Sequence, residues 1–315
     1  MFGICLESSH ARGMGHFYRM LNLAGELKSS SIQFKFFINE HSPALKIFDA
    51  CNYEYEIVDL LDLESGWEHT AIVKNNITLW INDRLDTDIE HARKVKANRI
   101  PLITFDDHGS GASLSDIHIA ALSFDAEENL GKKVLLGSKY LILNPEIAKY
   151  RRLRKSINSI IVTLGGSDTY GVTAKIVKKL ASQDKTATVI IGPGFEHVSE
   201  LKDVLSDGFI VKQEVPSLIK EFSDHDLAIT GGGITPFEAN ASGIPCIIVA
   251  NELFEIPVGK KLQEMGGAVF AGYHTELEYE FDFNLPIEKM SKNALSVVSL
   301  TGSELIVKEL LAAIE

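Results

Sequence analysis

The chain has 315 residues, 45% hydrophobic and 23% charged, globular proportions over a length that predicts about two domains. Its 31 basic and 43 acidic residues leave a formal net charge of −12. That argues against nucleic acid or an anionic lipid surface as partner, since both need a basic face. Cys5, Cys51 and Cys246 are scattered and lack CxxC spacing, so neither a disulfide scaffold nor a thiolate metal site is expected. Residues 1–6 lack a signal-peptide pattern and no apolar run is long enough to span a bilayer, so the expectation is a cytoplasmic protein.

Short apolar runs alternate with longer amphipathic stretches, the pattern of an α/β protein with parallel sheets. Residues 2–6 read as a buried strand. Arg12-Gly13-Met14-Gly15-His16 then leads into a helix over 16–27, where Met20, Leu21, Leu23, Ala24 and Leu27 share helical spacing. Further strands are predicted at 33–38, 78–82, 101–105 and 117–122, with a helix at 87–97 whose outer face carries Asp88, Glu90, Arg93, Lys94 and Lys96. The composition turns polar and basic over 146–156, the expected linker between a first domain at 1–145 and a second at 157–300. The second half repeats the cycle: a strand at 160–164, then Gly165-Gly166-Ser167-Asp168, a helix at 172–181, and strands at 188–191, 209–212, 227–230 and 246–250. A final helix at 303–315 is expected to pack back on the first domain. The expected fold is α/β, two facing Rossmann-like domains with an interdomain cleft lined by strand ends.

Three glycine clusters fall where strands end and helices begin: Gly13 with Gly15, Gly165 with Gly166, and Gly231-Gly232-Gly233 ahead of Thr235. Glycine lets the backbone approach an anion, and free N–H groups at a helix start point towards it, so the clusters read as phosphate-binding turns. No GxxxxGK[ST] is present, and Tyr18 replaces the third glycine of a dinucleotide motif, which argues against a P-loop NTPase and a Rossmann dehydrogenase. His16 lies at the mouth of the first helix, whose dipole disfavours the imidazolium by ~0.3–1 kcal/mol. A neutral ring there suits a general base. Arg19, three residues on, shares its helix face and is expected to steer an anionic substrate. Asp106-Asp107-His108-Gly109 follows a strand and reads as hydrogen bonding or turn formation, since no further ligand stands at metal spacing. Asn82-Asp83-Arg84 occupies the same kind of position and reads as a sugar contact.

Together, Gly13-x-Gly15-His16-x-x-Arg19, Phe105-Asp106-Asp107, Leu164-Gly165-Gly166-Ser167-Asp168, and Gly231-Gly232-Gly233-x-x-x-x-Glu238 followed by Gly243-x-Pro245 span nearly the whole chain. The ordered set resembles the nucleotide-sugar hydrolases of pseudaminic acid biosynthesis and their spore-coat polysaccharide relatives. That family is similar in turn to the GT-B glycosyltransferase that adds N-acetylglucosamine during peptidoglycan synthesis. The resemblance implies a GT-B fold and hydrolysis of a UDP-activated amino or deoxy sugar to free sugar and UDP, in the synthesis of a nonulosonic acid or similar surface glycan. It makes His16 the base that activates water, with inversion at the anomeric carbon. It also implies that Gly13, Gly15, Arg19, Asp83, Asp106 and Asn251 meet the sugar. Gly165, Gly166, Ser167, Gly231, Gly232, Gly233 and Thr235 would hold the diphosphate, Glu238 the ribose, and the backbone near Glu214, Val215 and Pro216 the base. No metal or cofactor is required. The alternative is a GT-B glycosyltransferase that passes the sugar to an acceptor alcohol.

Two features depart from the hydrolase pattern. Asp83-Arg84-Leu85 lacks the tyrosine that usually follows the aspartate, and is nearer the spore-coat type. Asn251 is followed by Glu252 where glutamine is frequent. Both fall where the resemblance places sugar recognition.

Overall fold

A computed structural model describes residues 1–9, 15–124, 130–166, 168–213, 215–277 and 280–315. Two compact units emerge: Met1–Ile142 with Thr301–Glu315, and Leu143–Leu300. No helix among the described residues is long and apolar enough to cross a membrane.

The strands of the first unit are β1 (Phe2–Leu6), β2 (Phe34–Ile38), β3 (Tyr55–Ile57), β4 (Leu79–Asp83), β5 (Leu102–Phe105), β6 (Ile117–Ala120) and β7 (Lys133–Leu136). They form one sheet in the order β3-β2-β1-β4-β5-β6-β7, and every pairing is parallel. Alternate side chains serve opposite faces, as the two-residue strand period requires. Phe2, Ile4 and Leu6 of β1 join one buried cluster, and Cys5 joins the other with Trp80, Ala92 and Leu102. The helices α1 (Gly15–Ser29), α2 (Ser42–Cys51), α3 (Trp67–Lys74) and α4 (Ile89–Ala97) lie between the strands in sequence. At Gly3 a Cβ would come within 2.9 Å of the Trp80 ring, so only glycine fits beneath the indole.

The second unit carries α5 (Ile147–Tyr150), then β8 (Ile160–Thr163), α6 (Val172–Ser182), β9 (Thr188–Ile191), α7 (Val198–Val204), β10 (Ile210–Gln213) and α8 (Leu218–Ser223). It continues with β11 (Leu227–Thr230), α9 (Thr235–Ala241), β12 (Cys246–Ala250), α10 (Ile256–Glu264), β13 (Ala268–Tyr273) and α11 (Ile287–Val297). Its sheet runs β10-β9-β8-β11-β12-β13. Val172, Ile176, Val177 and Leu180 of α6 bury their apolar stripe against Val162, Ile229 and Val249 of the sheet.

The segment expected as a linker, 146–156, instead packs into the second unit. Arg154 is fully buried; it donates to the carbonyls of Phe222 (2.8 Å), Arg152 (2.8 Å) and His225 (3.2 Å). Arg151 and Arg152 are exposed, yet they too donate to carbonyls of the second unit, those of Leu295 (2.6 Å) and Ser223 (2.9 Å), so the basic side chains tie a largely exposed segment to it. The last helix, α12 (Gly302–Ala312), contributes Ile306, Val307 and Leu310 to the core of the first unit. Leu310→Ala should therefore cost about 2–5 kcal/mol, the usual range for a buried leucine truncation. Thermal unfolding reads this as a lowered midpoint; an unchanged midpoint would remove α12 from that core.

Candidate functional site

In each sheet the strand order reverses once, between β1 and β4 in the first unit and between β8 and β11 in the second. Chains leaving the carboxyl ends of two such neighbours diverge to opposite faces and open a crevice. The register sets Leu6 beside Asp83 and Thr163 beside Thr230. The segments after these residues hold most of the residues singled out from sequence.

In the first unit, α1 presents His16 and Arg19 on one face, and Asp83 closes β4. The His16 Nδ1 is bonded to Asp83 Oδ1. Arg19 grips the same carboxylate through Nε to Oδ2 (2.8 Å) and Nη2 to Oδ1 (2.5 Å), and its Nη1 bonds to Asp106. The guanidinium carbon lies 5.4 Å from the centre of the Phe105 ring. Asp83 is fully buried and His16 keeps a small exposed edge, with side-chain exposures of 0% and 16%. Burial alone would push the Asp83 carboxyl up, but the Arg19 cation and His16 outweigh it and hold it down at about 2. Burial likewise opposes charge on Arg19, and Asp83 and Asp106 overcome it, so the guanidinium stays protonated.

This arrangement selects one tautomer of His16. An ionised carboxylate only accepts, so Nδ1 carries the proton and donates it to Oδ1. The 3.0 Å separation of Arg19 Nη2 from Nδ1 is then two donors converging on one oxygen. Nε2 is the nitrogen turned away from that carboxylate, and among the described residues it meets no partner.

Arg19, read as a steering residue, has Nε, Nη1 and Nη2 committed to Asp83 and Asp106, so it braces the cluster. Asp83 and Asp106, read as sugar contacts, are the internal acceptors of that brace; Asp106 also accepts from the Leu122 N–H at 3.2 Å. Asp107 accepts from the N–H groups of Thr87 (3.0 Å) and Gly109 (2.9 Å) and so shapes a turn. Gly15 begins α1. Gly13 lies outside the described residues, as do Ser167 and Glu214.

In the second unit, Gly165 and Gly166 follow β8, with Gly165 at φ +88°. Gly231, Gly232 and Gly233 follow β11, Thr235 opens α9, Asn251 follows β12, and half-buried Val215 follows β10. Asn251 is buried; its Oδ1 and the Thr230 Oγ1 have no hydrogen-bond partner among the described residues. A residue that sequence reasoning missed, Glu255, places Oε2 on the N–H groups of Asn251 (2.7 Å) and Gly232 (3.0 Å). Burial pushes its carboxyl up, against the pull of those N–H groups. Nothing in its sequence context distinguishes it from other helix-start acids.

Glu238 is half-buried on α9, and desolvation pushes its carboxyl up to about 7 despite a backbone hydrogen bond from Asn144. The folded protein thus holds this proton from about pH 4.5 to 7, where the unfolded chain releases it. The term costs stability as pH rises through that window and is constant above it. Glu238→Gln should therefore gain stability over the parent at pH 8 relative to pH 5, by on the order of 1–3 kcal/mol. Unfolding midpoints at the two pH values check this; equal differences would place the carboxyl in ordinary solvent.

No family profile matches the chain. Its two parallel-stranded α/β units have the GT-B type of fold, as in MurG of Acinetobacter baumannii, which superposes with a TM-score of 0.69 over 99% of both chains at 12% identity. In sequence the chain is similar to the spore coat polysaccharide biosynthesis protein SpsG of Bacillus subtilis, 24% identical over 294 residues and covering 86% of this chain and 83% of that protein. It is also 29% identical over 276 residues to an uncharacterised protein of Methanocaldococcus jannaschii, covering 79% of this chain but only 56% of that longer protein.

Proposed function

We propose that this protein cleaves a UDP-activated amino or deoxy sugar to free sugar and UDP, in the synthesis of a surface glycan such as a nonulosonic acid. The observation that carries the reading is the His16–Asp83 pair: a buried carboxylate on Nδ1 leaves Nε2 as proton acceptor. His16 Nε2 takes a proton from water, whose oxygen bonds to the anomeric carbon. The bond from that carbon to the diphosphate oxygen breaks on the opposite face, and its electron pair leaves with UDP, inverting the centre. Base catalysis of this kind is worth ~10²–10⁴-fold.

The second unit supports the nucleotide half of the reading. Gly165, Gly166 and Gly231–233 flank its strand-order reversal, where backbone N–H groups suit a diphosphate. Thr235 would add a hydroxyl to the phosphates, Val215 would pack on the base, and Glu238 would accept from the ribose hydroxyls. The similarity to SpsG supports glycan synthesis as the setting. Incubation with UDP-glucose, UDP-N-acetylglucosamine and UDP-N-acetylgalactosamine without acceptor tests the reaction. Stoichiometric release of UDP and sugar supports hydrolysis. Release only after an acceptor alcohol is added would make the protein a glycosyltransferase, in which His16 deprotonates that alcohol instead of water.

A further inference from the structure

The Glu255 carboxylate covers the glycine run. A methyl group on Gly231 would lie 3.6 Å from its Oε2, and one on Gly233 would lie 3.9 Å from its Oε1. At Gly232 a Cβ would come within 2.6 Å of the Glu255 Cβ and 2.7 Å of its carbonyl oxygen. The middle position therefore accepts only glycine while Glu255 stays in place. Two backbone N–H groups converging on one anionic oxygen is also the way a phosphate oxygen is held. Here both donors, from the turns after β11 and β12, serve a side chain of the protein itself. Thr230 Oγ1, one residue before the run, and Asn251 Oδ1 are buried and have no hydrogen-bond partner among the described residues.

We infer that Glu255 is an internal competitor for the diphosphate: its carboxylate must leave the Gly232 and Asn251 N–H groups before a phosphate oxygen takes them. The inference rests on the nucleotide-binding reading of the second unit. Two anions cannot share those donors, because each repels the other in a partly desolvated setting. Glu255 thereby sets the threshold for occupancy of the glycine run, and its return to the same N–H groups favours departure of UDP once the sugar is released. The alternative is a purely local role, in which Glu255 does no more than tie down the turn after β12.

Glu255→Gln removes the charge and keeps a carbonyl oxygen that can still accept, and Glu255→Ala removes the group altogether. Calorimetric titration of the parent and both variants with UDP and with uridine separates the roles. The competitor predicts UDP affinity at least tenfold tighter in both variants and uridine affinity unchanged, since uridine carries no phosphate. If the parent binds UDP and neither variant binds it more tightly, the competitor role is overturned while nucleotide binding stands. If the parent and both variants bind neither ligand, the nucleotide reading falls and the inference falls with it.

Discussion

Replacing His16 with alanine lowers UDP-sugar turnover at least a hundredfold while the affinity for UDP is retained. The ring is held by Asp83, which Arg19 grips in turn, and all three lie in the first unit, whereas every residue proposed to hold the nucleotide lies in the second. Losing the imidazole removes the proton acceptor, worth ~10²–10⁴-fold, and leaves the glycine turns intact. Steady-state turnover with calorimetric UDP titration separates these effects. Wild-type turnover in the variant would remove His16 from the chemistry, and loss of UDP binding would show that its role is structural.

Asp83→Asn is expected to damage both stability and turnover. The side chain is fully buried and accepts from His16 Nδ1, Arg19 Nε and Arg19 Nη2. An amide offers one acceptor oxygen and places an N–H group against the others, leaving a buried guanidinium partly unpaired. Breaking one partner of a buried ion pair typically costs about 3–5 kcal/mol. With Nδ1 no longer facing a carboxylate, the proton can move to Nε2 and block the lone pair, so turnover should fall by ~10²–10⁴-fold in the folded protein. Thermal unfolding and kinetics near pH 7 read the two losses separately. The acid limb belongs to the same group. Because its carboxyl is held down at about 2, its stabilisation is complete above the unfolded value near 4 and is lost as pH falls through 2. An Asp83→Asn variant that matched the parent in turnover would dissociate His16 from the carboxylate.

Much of the fold is legible because parallel strands covered on both faces read as unbroken apolar runs. The segments 188–191, 227–230 and 246–250 match β9, β11 and β12 residue for residue. What escapes notice lies at or near sheet edges. β3 has three half-exposed or exposed residues, β7 begins at exposed Lys133, and β13 is half-buried beyond Ala268. One-sided contact leaves β3 (Tyr-Glu-Ile) and β7 (Lys-Val-Leu-Leu) with short or interrupted apolar runs, whereas β13 (Ala-Val-Phe-Ala-Gly-Tyr) does carry a continuous one. In the candidate site, position is legible and partnership is not. His16, Asp83 and Asp106 each stand out at a strand's carboxyl end or a helix mouth, but the His16–Asp83 bond joins residues 67 apart. Arg19 looks free until the sheet register brings both aspartates to it. Glu255 has no local signal, because what sets it apart is an N–H group of a turn after a different strand.

Turnover in oxygen-18 water tests the central claim most directly. Attack of a His16-activated water on the anomeric carbon puts the heavy oxygen on the sugar and leaves UDP at its ordinary mass, which mass spectrometry of the released nucleotide reads. Heavy oxygen in UDP would mean that water attacks phosphorus, and the assigned chemistry would be wrong.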